Sequence, residues 1–395
     1  MGFAHLLSER TANMKANGIR EILKVISKPG MISFAGGLPA PESFPLEEMY
    51  ELNQVVLNKY GATALQYNFT EGFPPLQEAL VSYLAQTNIH ANPSDIHIYG
   101  GSQSVLDTIG KILLSPGDAV ALESPSYLGA ISAFNPYQPR YLSIPTDDDG
   151  IVPEALEAVL SQETVKFIYM VTTFQNPTGR TLSAERRAQV AQIIQRYNVL
   201  VVEDNPYGAL RFRGEPVPPL YTYAPDHVLY VSTLSKVFAP GLRIGFCVAP
   251  ADLRPWMVIA KQALDLHTST YGQALAAEYL IGGYIDEQLP KIIRLYRPRQ
   301  EAMLHALEQF FPKSFRWTKP EGGMFIWVEG AQGFDGEAFY YEAIENKIAF
   351  VPGKFFFIDE AQGVSTMRLN FTMFDEQVIT SAMQTLGDML TQRYD

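Results

Sequence analysis

The stretch Val231-Ser232-Thr233-Leu234-Ser235-Lys236-Val237-Phe238-Ala239-Pro240-Gly241-Leu242-Arg243 sets one lysine among hydroxyls at the end of an apolar run, beside a Pro-Gly turn and seven residues ahead of an arginine. The apolar flanks desolvate an ammonium and lower its pKa toward the neutral amine, the form in which Lys236 can condense with an aldehyde. Thr233 and Ser235 offer neutral hydrogen bonds and Arg243 a planar fork, a donor set suited to a phosphate. Taken alone, the motif also reads as a solvated lysine in a Pro-Gly loop, so the rest of the chain has to decide.

Outward from this stretch, short apolar or β-branched runs alternate with helical segments. Seven runs, at 96–99, 119–123, 140–144, 167–172, 200–203, 228–231 and 244–248, predict an α/β fold with a seven-stranded, mostly parallel sheet covered on both faces. Open sheets of this kind bind ligands beyond the carboxyl ends of their strands, and the polar residues gather there. Gly100-Gly101-Ser102-Gln103 follows the first run and opens a helix over 104–114, whose free N–H groups and dipole can take a phosphate. Glu123-Ser124-Pro125-Ser126-Tyr127 follows the second run, Gln175-Asn176-Pro177-Thr178-Gly179 the fourth, Glu203-Asp204-Asn205-Pro206-Tyr207 the fifth, and Lys236 the sixth. Helical patterns continue to Phe311; runs at 316–317, 322–328, 348–351 and 367–371 then predict the strands of a smaller α+β domain. Arg368 lies in the last of these between apolar neighbours, and a buried guanidinium needs a partner, either a structural carboxylate or one brought by a ligand. Upstream, 19–26 and 46–60 read as helices, Gly36-Gly37 as a close backbone approach or a plain turn, and 64–72 as a loop carrying Tyr67 and Phe69.

The chain of 395 residues is long enough for two domains, and with 47% hydrophobic and 18% charged residues it is globular. A net charge of −12 argues against a nucleic-acid partner. The single cysteine, Cys247, excludes an internal disulfide and, set in an apolar run, points to a reducing compartment. No apolar stretch approaches eighteen residues and the amino terminus lacks a basic start with an apolar run, so a cytoplasmic protein without a membrane partner is expected. The six histidines never fall at a metal-ligand spacing, and no metal is expected.

An aldehyde that carries a phosphate is pyridoxal phosphate. Asn176-Pro177-x-Gly179, Asp204-x-x-Tyr207 at 28 residues further on, Ser235-Lys236 with Arg243, and Arg368 in Arg-Leu-Asn-Phe together resemble the fold-type I pyridoxal-phosphate-dependent aminotransferases of class I/II, from about Ile19 to the carboxyl terminus. Ile19-Arg20-Glu21-Ile22-Leu23-Lys24, the stretch 33–41, Ala64-Leu65-Gln66-Tyr67 and Gly322-Gly323-Met324-Phe325 are most similar to the branch holding 2-aminoadipate aminotransferase and kynurenine aminotransferase II. The resemblance implies an aspartate aminotransferase-like fold, with a large cofactor domain over 46–285 and a smaller part formed by 1–45 and 286–395. It implies Lys236 as the Schiff-base lysine, Asp204 at the cofactor's ring nitrogen, Asn176 and Tyr207 at its phenolate oxygen and Tyr127 on the ring face. Ser102, Gln103, Thr233, Ser235 and Arg243 would hold the phosphate, reached also by Tyr67 of the neighbouring subunit, which makes a homodimer the active unit. Arg368, with Gly37 and Asn176, would hold the substrate α-carboxylate, and Arg20 a distal carboxylate. Ping-pong transfer between an L-amino acid and a 2-oxo acid such as 2-oxoglutarate is the implied reaction. The cofactor residues leave open another reaction on the same scaffold, a β-lyase or decarboxylase; a cofactor-sensing regulator would need an added DNA-binding domain.

Overall fold

The computed structural model describes residues 2–14 and 30–394, so that Arg20 and the helix expected over 19–26 lie outside the described residues. The large sheet is formed by β1 (Ile96–Tyr99), β2 (Ala119–Ser124), β3 (Arg140–Asp147), β4 (Gly150–Ile151), β5 (Val165–Met170), β6 (Leu200–Asp204), β7 (Val228–Thr233) and β8 (Gly245–Val248), in the order β1-β8-β7-β6-β5-β2-β3-β4. Burial on both faces explains the apolar runs. Along β5, Phe167 and Tyr169 join the apolar layer on one side, while Ile168 and Met170 join the layer on the other.

All seven expected runs are strands, and among the described residues the count is corrected to eight. β4 turns back antiparallel on the end of β3, with Asp147 opposite Gly150. Its signal was hidden in Asp147-Asp148-Asp149-Gly150, which reads as loop because the strand has only two residues and the turn supplies the polar ones.

Strands β2, β3, β5, β6 and β7 are parallel, whereas β8 runs antiparallel to both of its neighbours, β7 and β1. Two reversals restore the direction, so β1 ends at the same sheet edge as β7, and β8 begins there. Helix α1 (Ser102–Leu113) starts immediately after Gly101, two residues earlier than expected.

The second sheet is antiparallel, with β9 (Arg316–Trp317), β10 (Phe325–Glu329), β11 (Val351–Pro352) and β12 (Thr366–Asn370) in the order β9-β10-β12-β11. The run expected at 348–351 divides: Ile348–Ala349 pairs in parallel with Ile32–Ser33, and β11 pairs with β12. Phe34 donates its N–H to Ala349 and accepts one from Asn370, at 2.7 and 2.8 Å. Residues 34–37 are thereby fixed against the end of β12. Among the described residues, no helix is long and apolar enough to cross a membrane.

Candidate active site

Five carboxyl-terminal strand ends and the start of β8 converge on one edge of the large sheet. Asp204 is the last residue of β6 and is buried at 2% exposure. Its neighbour Glu203 faces the opposite side, where Thr172 Oγ1 and the N–H groups of Leu220 and Tyr221 donate to its carboxylate. Those three bonds anchor the strand end from which Asp204 projects. Asp204 Oδ2 accepts a hydrogen bond from the Tyr169 hydroxyl at 2.9 Å, while Oδ1 is buried without a partner. Burial raises the Asp204 carboxyl to about 7, partly offset by the Tyr169 bond.

Thr233 closes β7, and Lys236 ends the short 3-10 turn that follows. Lys236 Nζ donates to Gly37 O at 2.9 Å. Burial, then the positive charges of Arg243 and Arg368, lower the lysine to about 8, in the direction expected from its apolar flanks. The Thr233 hydroxyl donates to Ile244 O at 2.8 Å and lies 2.8 Å from Ser235 Oγ, so the two hydroxyls are held side by side.

Arg243 adopts a left-handed backbone with φ of 55° and crosses to the turn after β1, where Nη2 donates to Gly100 O at 3.3 Å. Glycine is demanded there. Gly101 has φ of +92°, and a Cβ on it would stand 2.1 Å from Arg243 Nη2. Likewise a Cβ on Gly245 would stand 2.3 Å from Ser102 N. Ser102, at the first position of α1, therefore has its backbone N–H beside the Arg243 guanidinium, an anion-binding arrangement. The Gln103 side chain ties α1 to the next element by donating to Gly129 O at 2.6 Å.

Asn176 and Tyr207 come together as the resemblance implied, with Asn176 Nδ2 donating to the Tyr207 hydroxyl at 3.4 Å. Burial raises the Tyr207 phenol and the Tyr127 phenol, so both stay protonated donors. Tyr127 lies half-buried in the loop after β2. Arg368, on β12, is 4% exposed; Nη1 donates to Asn176 Oδ1 at 2.7 Å, Nη2 donates to Ala35 O at 2.5 Å, and Nε has no partner. The structural carboxylate that could have neutralised it is absent among the described residues. Burial lowers Arg368 to about 10. The rings of Phe325 and Phe356 lie 4.3 and 4.9 Å from its guanidinium carbon, holding the cation by its faces.

Tyr67 stands apart from this group. It is 77% exposed and makes an edge contact with His267 at 5.7 Å. Tyr169, Phe325, Phe356 and the Ala35 carbonyl were not singled out from sequence. Only Tyr169 had a usable signal, a polar tip in a strand buried on both faces.

These groups fit pyridoxal phosphate: a bare acceptor on Asp204 for a ring N–H, a lysine shifted toward its neutral form, and an arginine beside a glycine turn and two hydroxyls. The sequence profile of the family "Aminotransferase class I and II" matches residues 37–386. The aromatic-amino-acid aminotransferase 1 of Thermococcus litoralis is 42% identical over 399 residues, covering 99% of this chain and 95% of the relative. The crystal structure of a multiple substrate aminotransferase from Thermococcus profundus superposes with a TM-score of 0.95 at 43% identity, covering 99% of both chains. The α-aminoadipate aminotransferase of Thermus thermophilus, solved with N-(5'-phosphopyridoxyl)-L-leucine, superposes with a TM-score of 0.91 at 38% identity, again covering 99% of both chains. A matched profile over most of the chain, relatives at this identity and a site that suits the same cofactor leave one conclusion: the chain belongs to the class I and II aminotransferases and is a fold-type I transaminase that works with pyridoxal phosphate.

Proposed function

We propose that the chain transfers the amino group of an L-amino acid, with 2-aminoadipate, glutamate and aromatic or branched-chain residues as the candidate donors, to a 2-oxo acid such as 2-oxoglutarate in a ping-pong cycle. The observation that carries this reading is Arg368, a buried guanidinium with an unpartnered Nε and no carboxylate of its own chain among the described residues. A substrate α-carboxylate supplies the missing charge, and a bidentate contact fixes the orientation of the substrate's Cα. The names of similar proteins, an aromatic-amino-acid aminotransferase and a 2-aminoadipate transaminase, support the aromatic and aminoadipate donors among these.

When bound, pyridoxal phosphate supplies an electron-withdrawing ring that acidifies the substrate Cα–H. Asp204 Oδ1 accepts the ring N–H and holds that proton in place. Asn176 Nδ2 and the Tyr207 hydroxyl donate to the phenolate oxygen, and Tyr127 covers the ring. The α1 amino terminus with Ser102 and Gln103, the Thr233 and Ser235 hydroxyls, and Arg243 bind the phosphate. Lys236 would hold the aldehyde between turnovers, and as a free amine its Nζ would take the proton from the substrate Cα. Gly37, whose carbonyl meets Lys236, borders the substrate, and Arg20 reads a distal carboxylate.

The large cofactor domain occupies 46–285, and 1–45 with 286–395 form the smaller part. Two copies share their sites through Tyr67. The side chains of Leu65, Tyr67 and Phe69 are exposed, and a partner subunit would cover them. The single cysteine, buried and free, supports a cytoplasmic setting.

A single turnover of the loaded enzyme with L-glutamate tests the reaction: one equivalent of 2-oxoglutarate is expected, with the cofactor left in its amine form. Release of carbon dioxide or of a β-substituent from a suitable donor, without amine-form cofactor, would assign a different reaction. Across a panel of donors, Arg20→Gln is expected to lower kcat/KM for glutamate and 2-aminoadipate by about ten- to a hundredfold, and for leucine by only a few fold. Equal losses would remove Arg20 from substrate reading.

A further inference from the structure

Tyr169 is held with more care than a core tyrosine needs. Its register partner on β6 is Val202, so its ring lies on the face of the sheet that also carries Asp204. The side chain is fully buried, edge-on to Phe134 at 5.9 Å and 75°. Its hydroxyl donates to Asp204 Oδ2 at 2.9 Å, and no other side chain among the described residues hydrogen-bonds to that carboxylate. Burial keeps the phenol far above its ordinary pKa, so the donor stays a donor. The two oxygens of Asp204 are consequently unequal, one engaged and one bare.

We propose that Tyr169 is a positioning residue for the cofactor: by engaging Oδ2 it leaves Oδ1 as the acceptor for the ring N–H, and by stabilising the carboxylate it keeps the shared proton on the ring nitrogen. This rests on Asp204 serving that nitrogen. A buried carboxylate with no cation beside it has a strong claim on any proton it shares. The Tyr169 hydrogen bond weakens that claim, because a bond to the ionised form favours the ionised form. The proton then stays on nitrogen, the ring stays cationic, and its pull on the substrate Cα is preserved. The other ionisable groups whose fields reach the pair are Tyr127 and Glu123 around the end of β2 and Tyr207 after β6. Lys236, Arg243 and Arg368 line the remaining sides of the site.

The test uses apoenzyme titrated with pyridoxal phosphate, reading the dissociation constant and the pH midpoint of the visible band of the lysine-bound cofactor. Wild type, Tyr169→Phe, Asp204→Asn and the double variant are compared. Tyr169→Phe is expected to weaken cofactor binding by about tenfold and to move the midpoint upward, since a less cationic ring makes the neighbouring imine nitrogen more basic. Asp204→Asn is expected to do more of both, and the double variant no more than Asp204→Asn alone, because Tyr169 then has no carboxylate to act through. An unchanged constant and midpoint in Tyr169→Phe, with Asp204→Asn impaired, would overturn the inference and leave Asp204 in its role. Unchanged binding in Asp204→Asn would overturn both. Full additivity in the double variant would make Tyr169 a packing residue. If Tyr169→Phe fails to fold, 3-fluorotyrosine at position 169 keeps the packing and strengthens the donor. A downward midpoint then supports the inference, and an unmoved or upward one overturns it.

Discussion

Lys236 shows how burial tunes one residue for two tasks. Lowered to about 8 by desolvation and by the charges of Arg243 and Arg368, it is mostly an ammonium at neutral pH and becomes the attacking amine just above it. The sign is fixed by chemistry: only the unprotonated amine adds to an aldehyde. The rate at which apoenzyme captures pyridoxal phosphate should therefore rise tenfold per pH unit below about 8 and level off above it. Stopped-flow growth of the visible band checks this, and a rise continuing unbroken to pH 10 would show that the lysine keeps an ordinary pKa. The candidate site residues that were legible in the sequence share one property. Each of Lys236, Asp204, Asn176 and Arg368 is a polar residue where an apolar one would be the neutral choice, and each demands a chemical reason. Tyr169 makes that demand only through its polar tip, and Phe325 and Phe356 make none. A tyrosine in a buried strand and two phenylalanines look like core until register and tertiary contact show that the first meets Asp204 and the others flank Arg368.

The turn from β1 into α1 is the element on which the proposed phosphate site depends. Its Gly-Gly signal is weak by itself, and the sequence could not show that Arg243, from the far side of the β7–β8 connection, would lie against it. That contact requires β8 to run antiparallel between β7 and β1, a topology that apolar periodicity does not encode. A side chain at Gly101 would meet both a left-handed backbone and the Arg243 guanidinium. Gly101→Ala should weaken pyridoxal phosphate at least about tenfold, the scale of losing one charge-assisted contact, as measured by equilibrium titration. Gly241→Ala, at a position with nothing within 4 Å of the added Cβ, is the control and should change the constant less than twofold. The short β4 was missed for a related reason: its pairing with β3 is made by two residues and an acidic turn, too little sequence for periodicity to register.

At the scale of the whole molecule, buried ionisable groups make stability depend on pH. Glu123 is buried at the end of β2, where Val171 N–H and the Gln175 amide donate to it, and burial raises it to about 8. Its folded pKa lies above its unfolded one, so its proton stabilises the fold fully below about pH 4.5, and that contribution is lost as pH rises toward 8. Glu123→Gln, which mimics the protonated form, should raise stability at pH 8 by on the order of 3 kcal/mol and have little effect near pH 4.5, read from denaturant midpoints at the two pH values. A gain equal at both would mean that the carboxyl is not protonated in the fold. Assembly is tested separately. Tyr67→Ala and Lys236→Ala proteins, each impaired, should regain up to about a quarter of wild-type activity when mixed and refolded, because half the dimers are hybrids with one intact site in two. Hybrid dimers without activity would take Tyr67 out of a shared site.

The positions of these groups along the chain also set an order in time. Every residue assigned to the cofactor precedes Ile244, whereas the arginine assigned to the substrate is residue 368, held against Ala35 and Asn176 across 333 and 192 positions. A chain leaving the ribosome therefore presents all its proposed cofactor contacts more than a hundred residues before the proposed carboxylate clamp is made. The residues proposed to bind the cofactor are thus all made before the proposed carboxylate clamp, yet Leu369 and Phe371 of β12 and its end pack in the same core as Leu234 and Val237, so that core closes only when both are present.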